Sequence, residues 1–193
     1  GRGLRGYDPV TKPQRHPQHA CVANHHAWHA LCTCGDAKVC LRCGVGVGTN
    51  ILAYWGAHVI GMDSQMGLVR IARDLYPELT FVPWDITRGP VVVDGQSHAD
   101  VCVAIELVEH LEDVVAAVRH LKESAPLVYL STPNRASPTL RQDHPANHYH
   151  VREYTAQEML ELLGPAMIRD PFSWQIVGAD SLMTPLVYEV RDA

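Results

Sequence analysis

An α/β domain built on a doubly wound, mostly parallel sheet is the fold this sequence predicts, and three observations carry the prediction. Short apolar runs alternate with amphipathic stretches along most of the chain, the pattern of strands covered by helices on both faces. Glycines stand at alternate positions in Gly44-Val45-Gly46-Val47-Gly48, directly after the first apolar run. Two acids, Asp63 and Asp85, close the second and third runs.

The elements follow in order. Residues 1–18 are rich in Gly, Pro, Arg and Gln and read as an irregular N-terminal arm. Residues 19–193 read as one domain, a length that buries a full core. A first helix is expected over 19–33. Strands are expected at 38–43, 58–62, 79–83, 99–104 and 127–131, with helices at 49–55, 64–75 and 112–124 between them. A Pro- and His-rich loop follows at 133–150. The next helix runs from Thr155 to Leu163, where Thr155 with Glu158 three residues on forms a capping-box pattern. Two tail strands, near 174–178 and 185–190, complete a seven-stranded sheet.

Composition narrows the partners. Hydrophobic residues make up 47% of the chain and charged residues 19%, with a formal net charge of −5. This is a globular composition without the basic surface that nucleic acid or an anionic membrane would call for. No run approaches the ~20 apolar residues of a membrane span. The first thirty residues carry Arg2, Arg5, Lys12 and Arg15 without an apolar core, so no secretory signal is expected. Cys102 lies inside an apolar strand, and the six cysteines do not form a disulfide framework, so the expectation is a reduced, cytoplasmic protein. Cys32, Cys34, Cys40 and Cys43 have zinc-like spacing, but the last two belong to the first strand and the glycine loop, where a tetrahedral site would compete with the fold.

The glycine run permits a sharp strand-to-helix turn and close approach of backbone to a ligand. Its spacing is Gly-x-Gly-x-Gly; the dinucleotide pattern would need glycine at 49 or 51, which are Thr and Ile. Asp63 lies nineteen residues after Gly44, the separation at which doubly wound folds place a ribose-binding acid. Glycine loop, Asp63 and Asp85 would all stand at the carboxyl ends of adjacent strands, where open α/β sheets bind ligands.

From Val39 to about Gly164, roughly two thirds of the chain, the sequence resembles the class I S-adenosylmethionine-dependent methyltransferases, a Rossmann-like family, and within it the ubiquinone-biosynthesis O-methyltransferase branch. The matching motifs are Gly44–Gly48, Val59–Asp63, Phe81–Asp85, Glu106-Leu107-Val108-Glu109-His110-Leu111, Ser131-Thr132-Pro133-Asn134-Arg135 and His150-Val151-Arg152-Glu153-Tyr154-Thr155. The resemblance implies S-adenosylmethionine as cofactor. It implies that Gly44, Gly46 and Gly48 pass beneath the methionyl and ribosyl parts, that Asp63 binds the ribose, and that Trp84, Asp85 and Ile86 hold the adenine. Ile105 would line the methionyl end. Arg42 stands where the family carries an acid that receives the cofactor's ammonium group.

Glu106, Glu109 and His110 are spaced i, i+3 and i+4, which on a helix places them on one face. His110, near neutrality in its ordinary pKa, suits a general base, with Glu109 as its catalytic neighbour. The order Glu-x-x-Glu-His, Thr-Pro-Asn, His-x-x-Glu also resembles the small-RNA 3′-terminal 2′-O-methyltransferases. That resemblance implies a divalent cation, Mg or Mn, on Glu106, Glu109, His110 and His150. The reading favoured is methyl transfer to an oxygen of a small molecule. The alternatives are a metal-dependent RNA 3′-end 2′-O-methyltransferase and, because of Arg42, a degenerate cofactor-binding protein without turnover.

Overall fold

The computed structural model describes residues 38–54, 56–92, 99–140, 145 and 147–191, with backbone alone for 38–42. The expected arm and first helix, and the cysteines at 21, 32 and 34, lie outside the described residues. β1 (Lys38–Arg42), β2 (His58–Asp63), β3 (Thr80–Pro83), β4 (Val101–Ile105) and β5 (Leu127–Thr132) form the parallel part of the sheet. α1 (Val47–Tyr54) follows β1, α2 (Met66–Leu75) follows β2, and α3 (Val114–Ser124) joins β4 to β5. α4 (Ala156–Leu163), β6 (Met167–Arg169) and β7 (Leu186–Arg191) complete the chain. The strands pair in the order β3-β2-β1-β4-β5-β7-β6. β7 is antiparallel to both β5 and β6, so the sheet is mixed. The order reverses between β1 and β4, the switch point at which such sheets open a crevice.

β4 shows why its sequence is uninterruptedly apolar. Every residue of it is buried: Cys102 and Ala104 pack with Val128, Leu130, Leu121 and Met159 on one face, while Val101, Val103 and Ile105 pack with Leu52, Tyr129 and Val187 on the other. The period of two sends alternate side chains into two cores, and both need apolar residues. Cys43 and Cys102 are both buried.

The capping box expected at Thr155 is present. The Thr155 Oγ1 accepts from the Glu158 backbone N–H at 3.2 Å, and the Glu158 carboxylate accepts from the Thr155 N–H at 2.8 Å. Three expectations need correction. The sixth strand is Met167–Arg169, and residues 174–178 contribute only a bridge from Ile176 to Arg169. An Asp170 turn intervenes: its carboxylate accepts from the Phe172 N–H at 2.8 Å and its carbonyl from the Trp174 N–H at 2.8 Å, and Trp174 takes φ 59, which breaks an extended run. α1 begins two residues earlier than expected, which puts Gly48 inside the helix. Finally, no α-helix starts at Glu106; Asp113 caps α3 by accepting from the Ala116 N–H at 2.9 Å. Among the described residues, no helix is long and apolar enough to cross a membrane.

Candidate active site

The turn from β1 into α1 is made by glycines in a conformation other residues avoid: φ is +50 at Gly44 and +88 at Gly46. At Gly46 a Cβ would also come within 2.9 Å of the Phe81 ring and 3.1 Å of Ala72. Among the described residues, nothing lies within 4 Å of where a Cβ would stand at Gly44. Asp63 fixes this turn from the neighbouring strand. Its carboxylate, 2% exposed, accepts from the Gly44 N–H at 3.0 Å and the Gln65 N–H at 2.9 Å.

Beside Asp63 runs a cleft lined by Met62, Ser64, Trp84, Asp85 and Ile86 together with Cys102, Ala104, Leu107 and Leu111. The Trp84 N–H donates to the Asp63 carbonyl at 2.9 Å, which joins the two acidic corners. Asp85 accepts from the Thr87 hydroxyl at 2.7 Å and the Thr87 N–H at 3.0 Å. The hydroxyl chiefly, then the N–H and Arg88, hold its carboxyl below the usual range against the cost of burial. The Ile86 carbonyl meets the buried His120 ring at 2.7 Å. Asp63, Trp84, Asp85 and Ile86 therefore come together along one wall. Ile105 does not: it belongs to the core formed with Leu52 and Tyr129. The side chain of Arg42, at the end of β1, lies outside what the structure describes.

At the end of β4 the chain takes an unusual step. Glu106 adopts φ 51, a left-handed conformation that is uncommon away from glycine and costs of order 1–3 kcal/mol. Its N–H donates to the Ser131 carbonyl at 3.0 Å, and its Oε1 accepts from the Ser131 hydroxyl at 2.9 Å. Burial pushes the Glu106 carboxyl up to about 7; the Ser131 hydroxyl opposes this and the Glu153 carboxylate adds to it. A single 3-10 turn, Val108–His110, follows. The expected common face of Glu106, Glu109 and His110 is therefore absent, because a left-handed residue cannot begin the helix that would align them.

What assembles instead is Glu109, His110 and His150, whose ligand-type atoms all lie within 4.8 Å of one another. Glu106 is not in this group. Glu109 is fully buried; its Oε2 accepts from the Thr132 hydroxyl at 3.0 Å, and its Oε1 lies 3.9 Å from His110 Nε2. His110 Nδ1 meets the Tyr149 carbonyl at 3.1 Å, which leaves Nε2 toward Glu109. The two imidazoles stand edge to face with centroids 4.9 Å apart. The loop bearing His150 is held by two backbone bonds to the Glu109 carbonyl, from Val151 at 2.7 Å and Arg152 at 3.3 Å.

Sequence reasoning singled out the ionisable residues but gave no role to Ser131, Thr132 or Glu153, which hold them. Their signal was position: Ser131 and Thr132 end the fifth apolar run, beside the residues that follow the fourth. A glutamate three residues after a histidine in an otherwise polar loop is a weaker sign.

Residues 41–165 match the family described as a methyltransferase domain. A probable S-adenosylmethionine-dependent methyltransferase of Mycobacterium tuberculosis is 31% identical over 124 residues, which are 63% of this chain and 44% of that protein. A ubiquinone biosynthesis O-methyltransferase of a Methylobacterium species is 36% identical over 87 residues, 44% of this chain and 34% of that protein. The chain thus spans less than half the length of these relatives. Among solved structures, an S-adenosylmethionine-dependent methyltransferase from Clostridium acetobutylicum superposes with a TM-score of 0.68 over 89% of this chain and 93% of that one, at 12% identity, a likeness of fold.

Proposed function

The chain belongs to the methyltransferase domain family, and from that premise we propose that it transfers a methyl group from S-adenosylmethionine to an oxygen of a small molecule, with His110 as the base. The observation that carries the proposal is the placement of His110 Nε2 beside the buried Glu109 carboxylate, one turn beyond the strand end that faces the cleft.

The residues fit the cofactor. Among the described residues, no atom comes near where a side chain at Gly44 would stand, which leaves the backbone of the turn approachable. Asp63 brings a carboxylate to the glycine turn, where doubly wound folds place the acid that accepts from ribose hydroxyls. Trp84, Asp85 and Ile86 form a wall with one anionic corner for the adenine. When bound, S-adenosylmethionine supplies a sulfonium methyl, which passes to the acceptor oxygen as the sulfur departs with the bonding pair.

The remaining work is positioning and proton removal. Nε2 of His110 takes the acceptor's hydroxyl proton. The resulting imidazolium is stabilised by the Glu109 carboxylate at 3.9 Å, which is fully buried while the His110 ring stays partly open to solvent. Thr132 holds that carboxylate in place from the other side. The test is formation of S-adenosylhomocysteine from S-adenosylmethionine with a panel of phenolic and alcoholic acceptors. Turnover with an oxygen acceptor that is lost in His110→Ala supports the assignment; turnover on nitrogen or sulfur acceptors alone overturns it. Absence of turnover despite cofactor binding would favour a degenerate binding protein.

A second reading has its own observation, the convergence of Glu109, His110 and His150. One carboxylate and two imidazoles suit a divalent cation such as Mn, which would acidify an acceptor hydroxyl, as an RNA 3′ end offers. Activity that persists in excess chelator excludes it.

A further inference from the structure

The loop that carries His150 also buries a carboxylate that the mechanism above does not use. Glu153 is 2% exposed, and its Oε1 accepts at 2.8 Å from Nδ1 of His150, itself largely buried. We infer that Glu153 is a positioning residue. Its carboxylate holds the His150 imidazole in the Nδ1–H tautomer and so presents a bare, hydrogen-bond-accepting Nε2 to the His110–Glu109 pair, which makes His150 the second ring that receives the methyl acceptor's hydroxyl.

Anchoring the loop does not account for this carboxylate. The His150 N–H is bonded to the Asn147 carbonyl at 2.9 Å, and Val151 and Arg152 are bonded to the Glu109 carbonyl. Tyr154 bridges to Asn134, and its carbonyl accepts from the Arg135 N–H at 2.9 Å. The backbone is thus clamped on both sides of Glu153, and an apolar side chain would fill the same space without the cost of desolvating a charge. The carboxylate does what an apolar residue cannot: it selects one of the two ring nitrogens as the donor. A carboxylate on one nitrogen of a histidine fixes its tautomer and ring orientation and raises the basicity of the other. His110 is held the same way with a backbone carbonyl in place of the carboxylate. The two rings, 4.9 Å apart, therefore both direct Nε2 away from their anchors. Glu109 adds a third acceptor. A cluster made of acceptors is matched to a ligand that brings positive charge, which a hydroxyl hydrogen does and the divalent cation of the second reading would do; persistence of activity in excess chelator assigns it to the hydroxyl.

This inference rests on the proposed methyl transfer only for its kinetic consequence; the tautomer is a property of the protein by itself. The nitrogen-15 chemical shifts of the His150 ring, read at mildly alkaline pH in the wild type and in Glu153→Gln, test it first. The expected result is protonated Nδ1 with bare Nε2 in the wild type and a mixture of tautomers in Glu153→Gln, whose amide both donates and accepts. Bare Nδ1 in the wild type, or an unchanged tautomer in the variant, overturns the proposal whether or not the enzyme turns over. In the methyl-transfer assay Glu153→Gln should lower kcat by roughly ten- to a hundredfold, the usual range for a residue that orients a ligating histidine, with KM for S-adenosylmethionine unchanged. A purely structural carboxylate would instead lower the melting temperature and leave kcat per folded molecule as it was, which also overturns it. Should Glu153→Gln fail to fold, the wild-type tautomer still decides.

Discussion

The carboxylates at the two halves of this sheet edge differ in whether backbone N–H groups help to hold them. On the β2–β3 side, Asp63 receives the backbone N–H groups of Gly44 and Gln65, and Asp85 receives the Thr87 N–H together with the Thr87 hydroxyl. On the β4–β5 side, Glu106, Glu109 and Glu153 receive side chains: the Ser131 hydroxyl, the Thr132 hydroxyl and the His150 ring. Backbone amides cannot change their role as donors, so they hold an acid in place. Hydroxyls and imidazoles can turn or lose a hydrogen, so they can follow a proton. On the proposed reading, the first half holds a ligand still and the second lets a proton move.

The sharpest way to break that contrast is to remove the proposed base. His110→Ala should lower turnover by about 10²–10⁴-fold while leaving the affinity for S-adenosylhomocysteine unchanged. Loss of affinity instead would place His110 in the binding half, and the division would fail.

Glu106 sharpens it through pH. Its carboxyl is raised from 4.5 to about 7, mainly by burial. Between those values the folded protein holds a proton that the unfolded chain has released, so stability present below 4.5 declines as pH rises and is lost once 7 is passed. Glu106→Gln should therefore match the wild type in acid and exceed it on the alkaline side of 7, by on the order of 1–3 kcal/mol. Thermal melts across that range check it; a gain of equal size at every pH would contradict the shift.

The smallest effect belongs to a position outside both halves. Thr155→Ala removes one side of the α4 capping box and should cost about 1 kcal/mol without altering kcat or cofactor affinity. Glu158, on the other side of the box, has its carboxyl lowered to about 2; burial works against this, and the Thr155 N–H with Arg152, the Thr155 hydroxyl and Arg135 outweigh it. The stability it gives is present above 4.5 and lost as pH falls toward 2, opposite in sign to Glu106.

The binding half was the more legible in sequence, for a physical reason. Its residues are punctuation in a local pattern: glycines that make a turn and acids that close strands, each read from neighbours a few positions away. The capping box at Thr155 is local in the same sense. The reacting half is assembled from β4, β5 and the 147–154 loop, and the partners of Glu109 lie 23 and about 40 residues on. Spacing suggested a helix with Glu106, Glu109 and His110 on one face, but the left-handed turn at Glu106 is imposed by its bond to Ser131 across the sheet, which no local pattern records. The sixth strand was misplaced for a similar reason: Met167–Arg169 pairs with β7 and anchors Arg169 on Glu189 at 2.6 Å, while the more apolar-looking 174–178 follows a turn organised by Asp170.

The central claim is that the β1–β3 edge binds S-adenosylmethionine through Asp63, and calorimetric titration with S-adenosylhomocysteine tests it most directly. The wild type should bind with one site per chain. Asp63→Ala loses hydrogen bonds to a charged group worth roughly 1.5–3 kcal/mol, so its affinity should fall by about tenfold or more while His110→Ala binds as the wild type does. No binding by the folded wild type, or the same affinity in a folded Asp63→Ala, would contradict the account.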